Sequence, residues 1–465
     1  MKKPLLLCLM LCLLASARAQ EMPSNRKSLD KIARSILPAT QRDSTATALV
    51  PDTAQTTAPA RRPGLIRRII NYYSGSNVDR TFEKKIDWSI APGPNYSSDV
   101  GFGIGFLVAG LYRLDRTDSL TAPSNISLYG NITTEKFLLA RFSGENILSR
   151  NRHRLSYSGA FVYFPGAFYG VGYDQGALGY VESLTTTMGI ARIAACTSFI
   201  PHTYIGVSFG VNYSGASTSA NFASRSQLEA MGEHYGELSR NDRQLYDAFR
   251  AGYFDPDLAT PFTNYIERTG ERKNAFNAHV GIFAQYDTRD VLTAPSKGLF
   301  AKVEARIFPR FLGNSRETFG KVNVQVDAYV KLWKGMVLAY DLYTEFTVGR
   351  PSWHLYAKLG GTERMRGYYE GRYRDNNLVT TQVELRQKIY RRHGLAAWFG
   401  LGNIWGQDNF QWRNTLHSFG VGYRFEFKNR MNIRLDYGWG VYGNPHFYWD
   451  RKRSSAFIFT ASEAF

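Results

Sequence analysis

The sequence predicts an all-β fold, a transmembrane antiparallel barrel of about sixteen strands, and three observations support this prediction. The chain begins with an export signal. Apolar and polar residues alternate through most of residues 83–465, in segments longer than the roughly five or six residues usual for soluble strands. Aromatic residues make up 14% of the chain, yet no apolar run beyond the signal reaches the ~20 residues that a membrane helix needs.

Residues 1–19 have the features of a secretory signal peptide. A basic start and a short apolar run lead to an Ala-x-Ala ending at Ala19, and the run is too short for a membrane anchor. Cys8 and Cys12 would leave with this signal, so Cys196 would be the one thiol of the mature chain. We therefore expect an exported protein of the Gram-negative outer membrane without an internal disulfide.

Residues 20–82 are predicted to form a disordered leader, because they offer too little apolar surface to offset the entropy of ordering. Within the leader, the segment 65–73 is basic and amphipathic. It fits a short helix at the membrane surface, a plug of the barrel or a partly ordered linker. The formal net charge of +18 favours an anionic lipid surface or an acidic partner, and export argues against nucleic acid.

The clearest predicted strand covers residues 321–332, where the odd positions are polar and the even positions apolar. A water-soluble sandwich would alternate as well. However, charges of both signs follow one another on the polar faces, which favours a wet lumen braced by ion pairs. Short turns such as 334–335 alternate with longer connections, and an even number of strands lets a barrel close without exposed edges.

An enzymatic role is not expected from the residues. The segment Gly206-Val-Ser-Phe-Gly210 matches the nucleophile motif of serine hydrolases, but that motif requires a turn between a strand and a helix, whereas this segment lies inside an alternating strand. The histidines lack the spacing of a metal site. No catalytic, cofactor-binding or metal-binding residue is therefore assigned.

One long connection between two predicted strands, residues 359–375, contains four glycines, four arginines and three tyrosines. Its centre, Met365-Arg366-Gly367-Tyr368, resembles the (Val/Ile)-Arg-Gly-(Phe/Tyr) motif of the bacterial surface antigen family, the BamA/TamA-type barrels of the outer membrane. The resemblance covers residues 83–465. Its further motif positions are Gly360, Gly361, Gly400, Gly402 and the segment Val383–Arg386.

The resemblance implies a barrel whose sixth extracellular loop folds inward with Arg366 at its tip. It also implies a role in assembling or translocating outer-membrane proteins or lipids. Family members carry periplasmic POTRA domains, for which residues 20–82 leave no room, so we expect a separate periplasmic or outer-membrane protein partner besides the outer-membrane lipids. A passive pore or a plugged structural barrel is the alternative, and an outer-membrane lipase is a more distant one.

The resemblance also raises a question about Arg366. The family places an Asp, which pairs with the motif arginine, where this chain has Gly400. An arginine in a barrel lumen keeps its charge and needs carboxylates, so its partner must come from elsewhere. The alternation predicts three candidates on the lumen face, first Glu384 and then Asp341 and Glu345.

The C-terminal residues resemble the signal by which outer-membrane barrels are delivered for insertion. Such signals are aromatic and end at the last residue of the chain. The positions that carry this resemblance are Phe457, Phe459 and Phe465.

Overall fold

The computed structural model describes residues 81–465 apart from 149, 179–180, 219–224, 239, 253–261, 293, 429–430, 441–454, 461–462 and 464. The predicted signal peptide and nearly all of the predicted leader, including the segment 65–73, lie outside the described residues. None of the helices in the described part of the chain has the length and apolar character of a membrane-spanning helix.

Sixteen antiparallel strands close into one barrel, which confirms the predicted fold class. In chain order these strands are β1 (Asp87–Ser97), β2 (Gly101–Tyr112), β3 (Ser124–Thr133), β4 (Leu138–Leu148), β5 (His153–Phe168), β6 (Glu182–Ile200), β7 (Thr203–Thr218), β8 (Ala275–Asp287), β9 (Gly298–Phe308), β10 (Phe319–Trp333), β11 (Met336–Val348), β14 (Asn377–Tyr390), β15 (His393–Trp405), β16 (Leu416–Lys428), β17 (Met431–Gly440) and β18 (Ser455–Thr460). Two further strands, β12 (Ala357–Leu359) and β13 (Tyr373–Asp375), form a separate hairpin.

The alternation in sequence separates the lumen from the outer wall. On β10, Asp327 and Tyr329 are buried toward the lumen, whereas Val322 and Val330 are exposed on the outside. Exposed Ile, Leu, Val and Phe side chains continue around the outer wall on the other strands. A belt of this kind is far larger than the apolar patches of soluble monomers and is typical of barrels in a bilayer.

The two ends of the barrel differ in their connections. At the turn end, β10 and β11 are joined by residues 334–335 and β14 and β15 by residues 391–392. In the described part of the chain, the loop end carries the long connections and four α-helices, α1 (Tyr173–Leu178), α2 (Arg225–Glu233), α3 (Arg240–Arg250) and α4 (Phe262–Thr269). Helices α2, α3 and α4 lie in the long connection between β7 and β8.

The sixth loop, residues 349–376, runs from β11 at the loop end into the lumen and returns to β14. The sequence predicts one long connection between two strands here, and within it β12 and β13 pair as a short hairpin. Trp353 at the start of the loop packs against Phe262 of α4, with ring centroids 4.9 Å apart. The loop is therefore held both by its own hairpin and by the helix above it.

The seam between the first and last strands is short among the described residues. β1 pairs with β18 at Tyr96–Phe459 and Ser97–Ile458, close to the loop end. β18 ends at Thr460. Beyond it, Glu463 is buried and the Phe465 ring lies 6.4 Å from the ring of Tyr329 on the lumen face of β10. Most of β1, from Tyr96 toward the turn end, therefore faces no described part of β18.

Candidate functional site

The tip of the sixth loop is a tight turn that the sequence builds with Met365 and Gly367. Met365 has φ of 50° and Gly367 has φ of 112°, and the Tyr368 amide donates to the Met365 carbonyl oxygen over 3.2 Å. A Cβ atom on Gly367 would lie 2.6 Å from the carbonyl carbon of Trp439 on β17. Only glycine combines this backbone conformation with so close an approach to the wall.

The tip carries Arg366 into a fully buried position against the wall. Its Nη2 donates to Glu384 Oε2 over 2.5 Å, and its Nη1 donates to Asp436 Oδ2 over 2.6 Å. The guanidinium carbon lies 3.6 Å from the ring centroid of Trp398. Arg366 thus bridges β14 and β17 and stacks on β15 between them, an arrangement that a planar guanidinium can make and a lysine cannot.

Backbone contacts fix the tip independently of the charges. The Ser418 hydroxyl donates to the Arg366 carbonyl oxygen over 2.6 Å. The Tyr368 hydroxyl donates to the His417 carbonyl oxygen over 2.8 Å. Each of these hydrogen bonds joins a tip residue to a residue of β16. The tip residues 366–368 are therefore held against the C-terminal strands.

The glycines of β15 explain why the arginine's carboxylates come from other strands. A Cβ on Gly402 would lie 2.7 Å from Leu359 Cδ1 and 3.0 Å from Met365 Cε, and one on Gly400 would lie 3.6 Å from Met365 Sδ. Gly400 and Gly402 therefore form the groove that receives Met365. A carboxylate at residue 400 would face a thioether, so Glu384 and Asp436 supply the negative charge.

A wider ion-pair network surrounds Arg366. Arg424 donates to Asp436 over 2.5 Å, to Glu384 over 3.1 Å and to Glu463 over 3.0 Å. Arg386 donates to Glu384 over 2.8 Å, and its Nη2 donates to the Phe465 carbonyl oxygen over 3.1 Å. The network therefore joins the loop tip to the residues that follow β18.

The other two candidate partners, Asp341 and Glu345, pair with different cations. Arg364 donates to both carboxylate oxygens of Asp341, at 2.8 Å for the shortest contact to each. Glu345 accepts from Lys321. These two candidates are thus wrong as direct partners of Arg366 in the described contacts, although Asp341 holds the arginine two residues before it.

Asp436 is the partner that sequence reasoning missed. The alternation places Asp436 on the lumen face of β17, but alternation assigns only a face and gives no position across the lumen. Arg366 and Asp436 are 70 residues apart in the chain. Family resemblance pointed to β15, and nothing local to β17 marked Asp436 for this role.

The hydrolase-like segment lies within a strand and not at a turn between a strand and a helix. Ser208 lies in the middle of β7, and its hydroxyl donates to Glu304 Oε1 over 3.1 Å. Within the described residues, no group of three or more His, Cys, Asp or Glu side chains is placed to hold a metal ion. Cys196 on β6 is a free, partly buried thiol. The residue opposite it in the register of β6 and β7 is Gly206.

The fold and the loop together define the class of protein: a closed sixteen-stranded barrel whose lumen is filled by an arginine-anchored loop. Residues 172–465 match the model of the Omp85 superfamily domain, and the chain belongs to that superfamily. No curated protein sequence shows significant similarity to it.

Among solved structures, the chain is similar to "BamA from Haemophilus ducreyi lacking POTRA domains 1-3" (10% identity, 82% of this chain and 71% of that chain, TM-score 0.49). It is also similar to CdiB from Escherichia coli (11% identity, 82% and 68%, TM-score 0.49). The similarity to CdiB from Acinetobacter baumannii has 10% identity and a TM-score of 0.48, and covers 81% of this chain but 60% of that one.

Proposed function

We propose that this chain is an outer-membrane barrel that assembles or translocates proteins or lipids together with a separate protein partner, without enzymatic turnover. One observation carries the proposal: among the residues that the structure describes, the wall is joined at β1 and β18 over two residue pairs, Tyr96–Phe459 and Ser97–Ile458. The neighbouring strands β1 and β2 pair from Asp87–Leu111 to Ser97–Gly101. A wall with one short seam can part there at the lowest cost in hydrogen bonds.

The inward loop supports this proposal because it gives the rest of the wall a rigid brace. Arg366 ties β14 to β17, and Ser418 and His417 tie the tip to β16. The segment after β18 joins the same network through Glu463. Opening at β1–β18 would leave the braced strands in place.

A partner is part of the proposal because the turn end is rich in cations. Lys331, Lys388 and Arg392 lie around an opening of about 380 Å³ at that end, and Lys388 donates to Glu426 over 2.6 Å. A basic rim of this kind favours an acidic protein surface.

The seam can be tested with a disulfide. Ser97→Cys with Ile458→Cys, in a Cys196→Ser background, would tether β1 to β18 at a paired position. The matched control is Ser127→Cys with Ser143→Cys, which tethers β3 to β4 where the two hydroxyl oxygens are 2.9 Å apart. We expect the seam tether to abolish complementation of the envelope defect of a deletion strain and a reductant to restore it.

The control tether should leave complementation unchanged. Full activity of the tethered seam would contradict the proposal. It would favour the alternative of a passive pore or structural barrel, for which steady conductance in a planar bilayer, equal in both tethered proteins, is the expected result.

Photo-crosslinking from Lys334 at the turn end, compared with Lys136 at the loop end, tests the partner separately. Equal patterns from the two ends would argue against a partner at the turn end.

A further inference from the structure

A cavity of about 350 Å³ lies inside the barrel at the loop end, beside the β1–β18 seam. Ser97 and Ile458, which pair across the seam, form one side of it. The β12–β13 hairpin of the sixth loop forms the opposite side through Lys358 and Arg374. The contacts that anchor Arg366 lie outside this cavity, so it is a separate site.

The positive groups that line the cavity have no carboxylate partner among the described residues. Lys358 and Arg374 are paired in register across the hairpin. Arg374 donates from Nε to the Gly371 carbonyl oxygen over 2.9 Å and from Nη2 to the Ala167 carbonyl oxygen over 3.5 Å, which satisfies donors but not charge. In the described part of the chain, the ammonium group of Lys358 forms no hydrogen bond or ion pair.

A third nitrogen-bearing side chain, His354, lines the same cavity. It is 9% exposed, and neither ring nitrogen has a hydrogen-bond partner among the described residues. Buried polar atoms are nearly always paired, so two unpaired nitrogens on one buried ring indicate a missing partner. His354, Lys358 and Arg374 come from one loop and are all positioned by its packing against the wall.

Two carboxylates also line the cavity, Asp99 and Glu370. The Glu370 amide donates to Asp99 Oδ2 over 3.4 Å, and the Glu370 side chain is exposed. Among the described ion pairs, none joins Glu370 to Lys358 or Arg374. Glu370 therefore offsets their charge only at a distance, and the cost of burying both cations is not met by direct pairing.

Part of the remaining wall is apolar, and part is polar and uncharged, with Asn95, Tyr129, Asn131 and Thr186. Val162, Phe164, Leu184 and Met188 of β5 and β6 face it from the lumen side. A cavity lined by cations, uncharged polar groups and apolar side chains matches a ligand with an anionic, hydrogen-bonding head and an apolar body. The phosphate of a lipid has that chemistry, and Ser97 and Ile458, which pair across the seam, lie in the cavity wall.

We propose that this cavity binds the phosphate group of an amphipathic lipid, held by Lys358 and Arg374 with His354 as an additional donor. A guanidinium and an ammonium group side by side are the usual protein ligands of phosphate. The cavity volume accommodates a phosphorylated headgroup and the first part of its apolar body, but not whole acyl chains. This inference takes only the membrane location from the proposed function and is independent of the assembly role.

The test uses the purified full-length barrel in a neutral detergent, with binding measured by titration calorimetry. Dihexanoyl phosphatidic acid is the probe, dihexanoylglycerol is the matched amphiphile without phosphate, and inorganic phosphate is the free ion. We expect the phosphatidic acid to bind and the diacylglycerol not to bind. Lys358→Gln should weaken binding about tenfold or more, because a charge-assisted hydrogen bond is lost.

Lys334→Gln, the same substitution in the β10–β11 turn at the opposite end, should leave the affinity unchanged. Heat-modifiable migration on gels shows that each variant is folded, so a folding failure cannot be mistaken for lost binding. Equal affinity for inorganic phosphate would reassign the site to the free ion. Equal affinity for dihexanoylglycerol, an unchanged affinity in Lys358→Gln, or tighter binding of a peptide with an aromatic C-terminal carboxylate would overturn the proposal.

Discussion

The lumen has two sides that hold positive charge differently. On the side of β14–β17, Arg366 is fully buried and donates to two carboxylates, Glu384 and Asp436. On the side of β1–β6, Lys358 and Arg374 of the same loop face a cavity without a carboxylate partner among the described residues. A charge buried with its partners holds the loop in place, whereas a buried charge without a partner remains available to a ligand.

If the two sides of the lumen differ in this way, substitution of Arg366 should give the largest loss of unfolding free energy. Arg366→Ala should cost about 3–5 kcal/mol of unfolding free energy, because it leaves Glu384 and Asp436 buried with less compensation. The matched control, Arg141→Ala, removes an exposed lumen arginine of β4 and should change stability by less than about 0.5 kcal/mol. Guanidinium unfolding in detergent measures both, and equal losses would show that the two sides do not differ.

Arg366 and Glu384 should behave as one unit. In a double-mutant cycle, Arg366→Ala and Glu384→Ala should be non-additive by about 1–3 kcal/mol, because each removes the same contact. Arg366→Ala combined with Arg141→Ala should instead be additive within about 0.5 kcal/mol. Strict additivity of the first pair would mean that Asp436 and Arg424 alone determine the energy of the network.

Gly367→Ala should destabilise the loop tip by about 1–3 kcal/mol, since a side chain at φ of 112° is strained and would collide with Trp439. The expected readout is faster hydrogen exchange in residues 365–368. Gly189→Ala on β6 is the control, because the nearest atom to its added Cβ is 4.0 Å away. Similar exchange rates in the two variants would contradict the tight seating of the tip.

The helix above the loop should dock in a pH-dependent way through Glu271. This carboxylate accepts from the Tyr265 hydroxyl over 2.6 Å and from the Trp353 amide over 2.8 Å, and burial raises the pKa of Glu271 above its ordinary 4.5. A raised pKa in the docked state means that docking is strongest below pH 4.5 and weakens as pH rises through the raised value. Exchange protection of the Trp353 amide should fall over that range, and Glu271→Gln should flatten the fall; a flat wild-type profile would contradict this.

The smallest effect is expected at the cavity. Lys358→Gln should change unfolding free energy by less than about 0.5 kcal/mol or raise it, because no described ion pair is lost and a costly desolvated charge disappears. The same unfolding assay used for Arg366 gives the value. A loss comparable to that of Arg366→Ala would mean that Lys358 is structurally paired and would remove the distinction between the two sides.

The barrel itself could be predicted from local sequence, because the two-residue period fixes which face of each strand is buried. The same reasoning put Glu384 on the lumen face, and the structure brings it within 2.5 Å of Arg366. It gave no partner for Glu463, which follows β18: Arg424 donates to its carboxylate over 3.0 Å, and Arg386 donates to the Phe465 carbonyl oxygen over 3.1 Å. Alternation assigns the face of a strand and carries no information on which side chains of neighbouring strands pair.

By itself, the sequence determined the strand faces, since these depend on residues close in the chain. The inward loop and its motif glycines were implied by the resemblance of residues 365–368 to a family motif. Only the tertiary structure decided that Asp436 joins Glu384 around Arg366, and that Gly400 makes room for Met365 instead of supplying a carboxylate. It also decided that Lys358 and Arg374 face a cavity without a described partner. Pairing of charges across a lumen depends on the register of sixteen strands, and no local pattern carries that information.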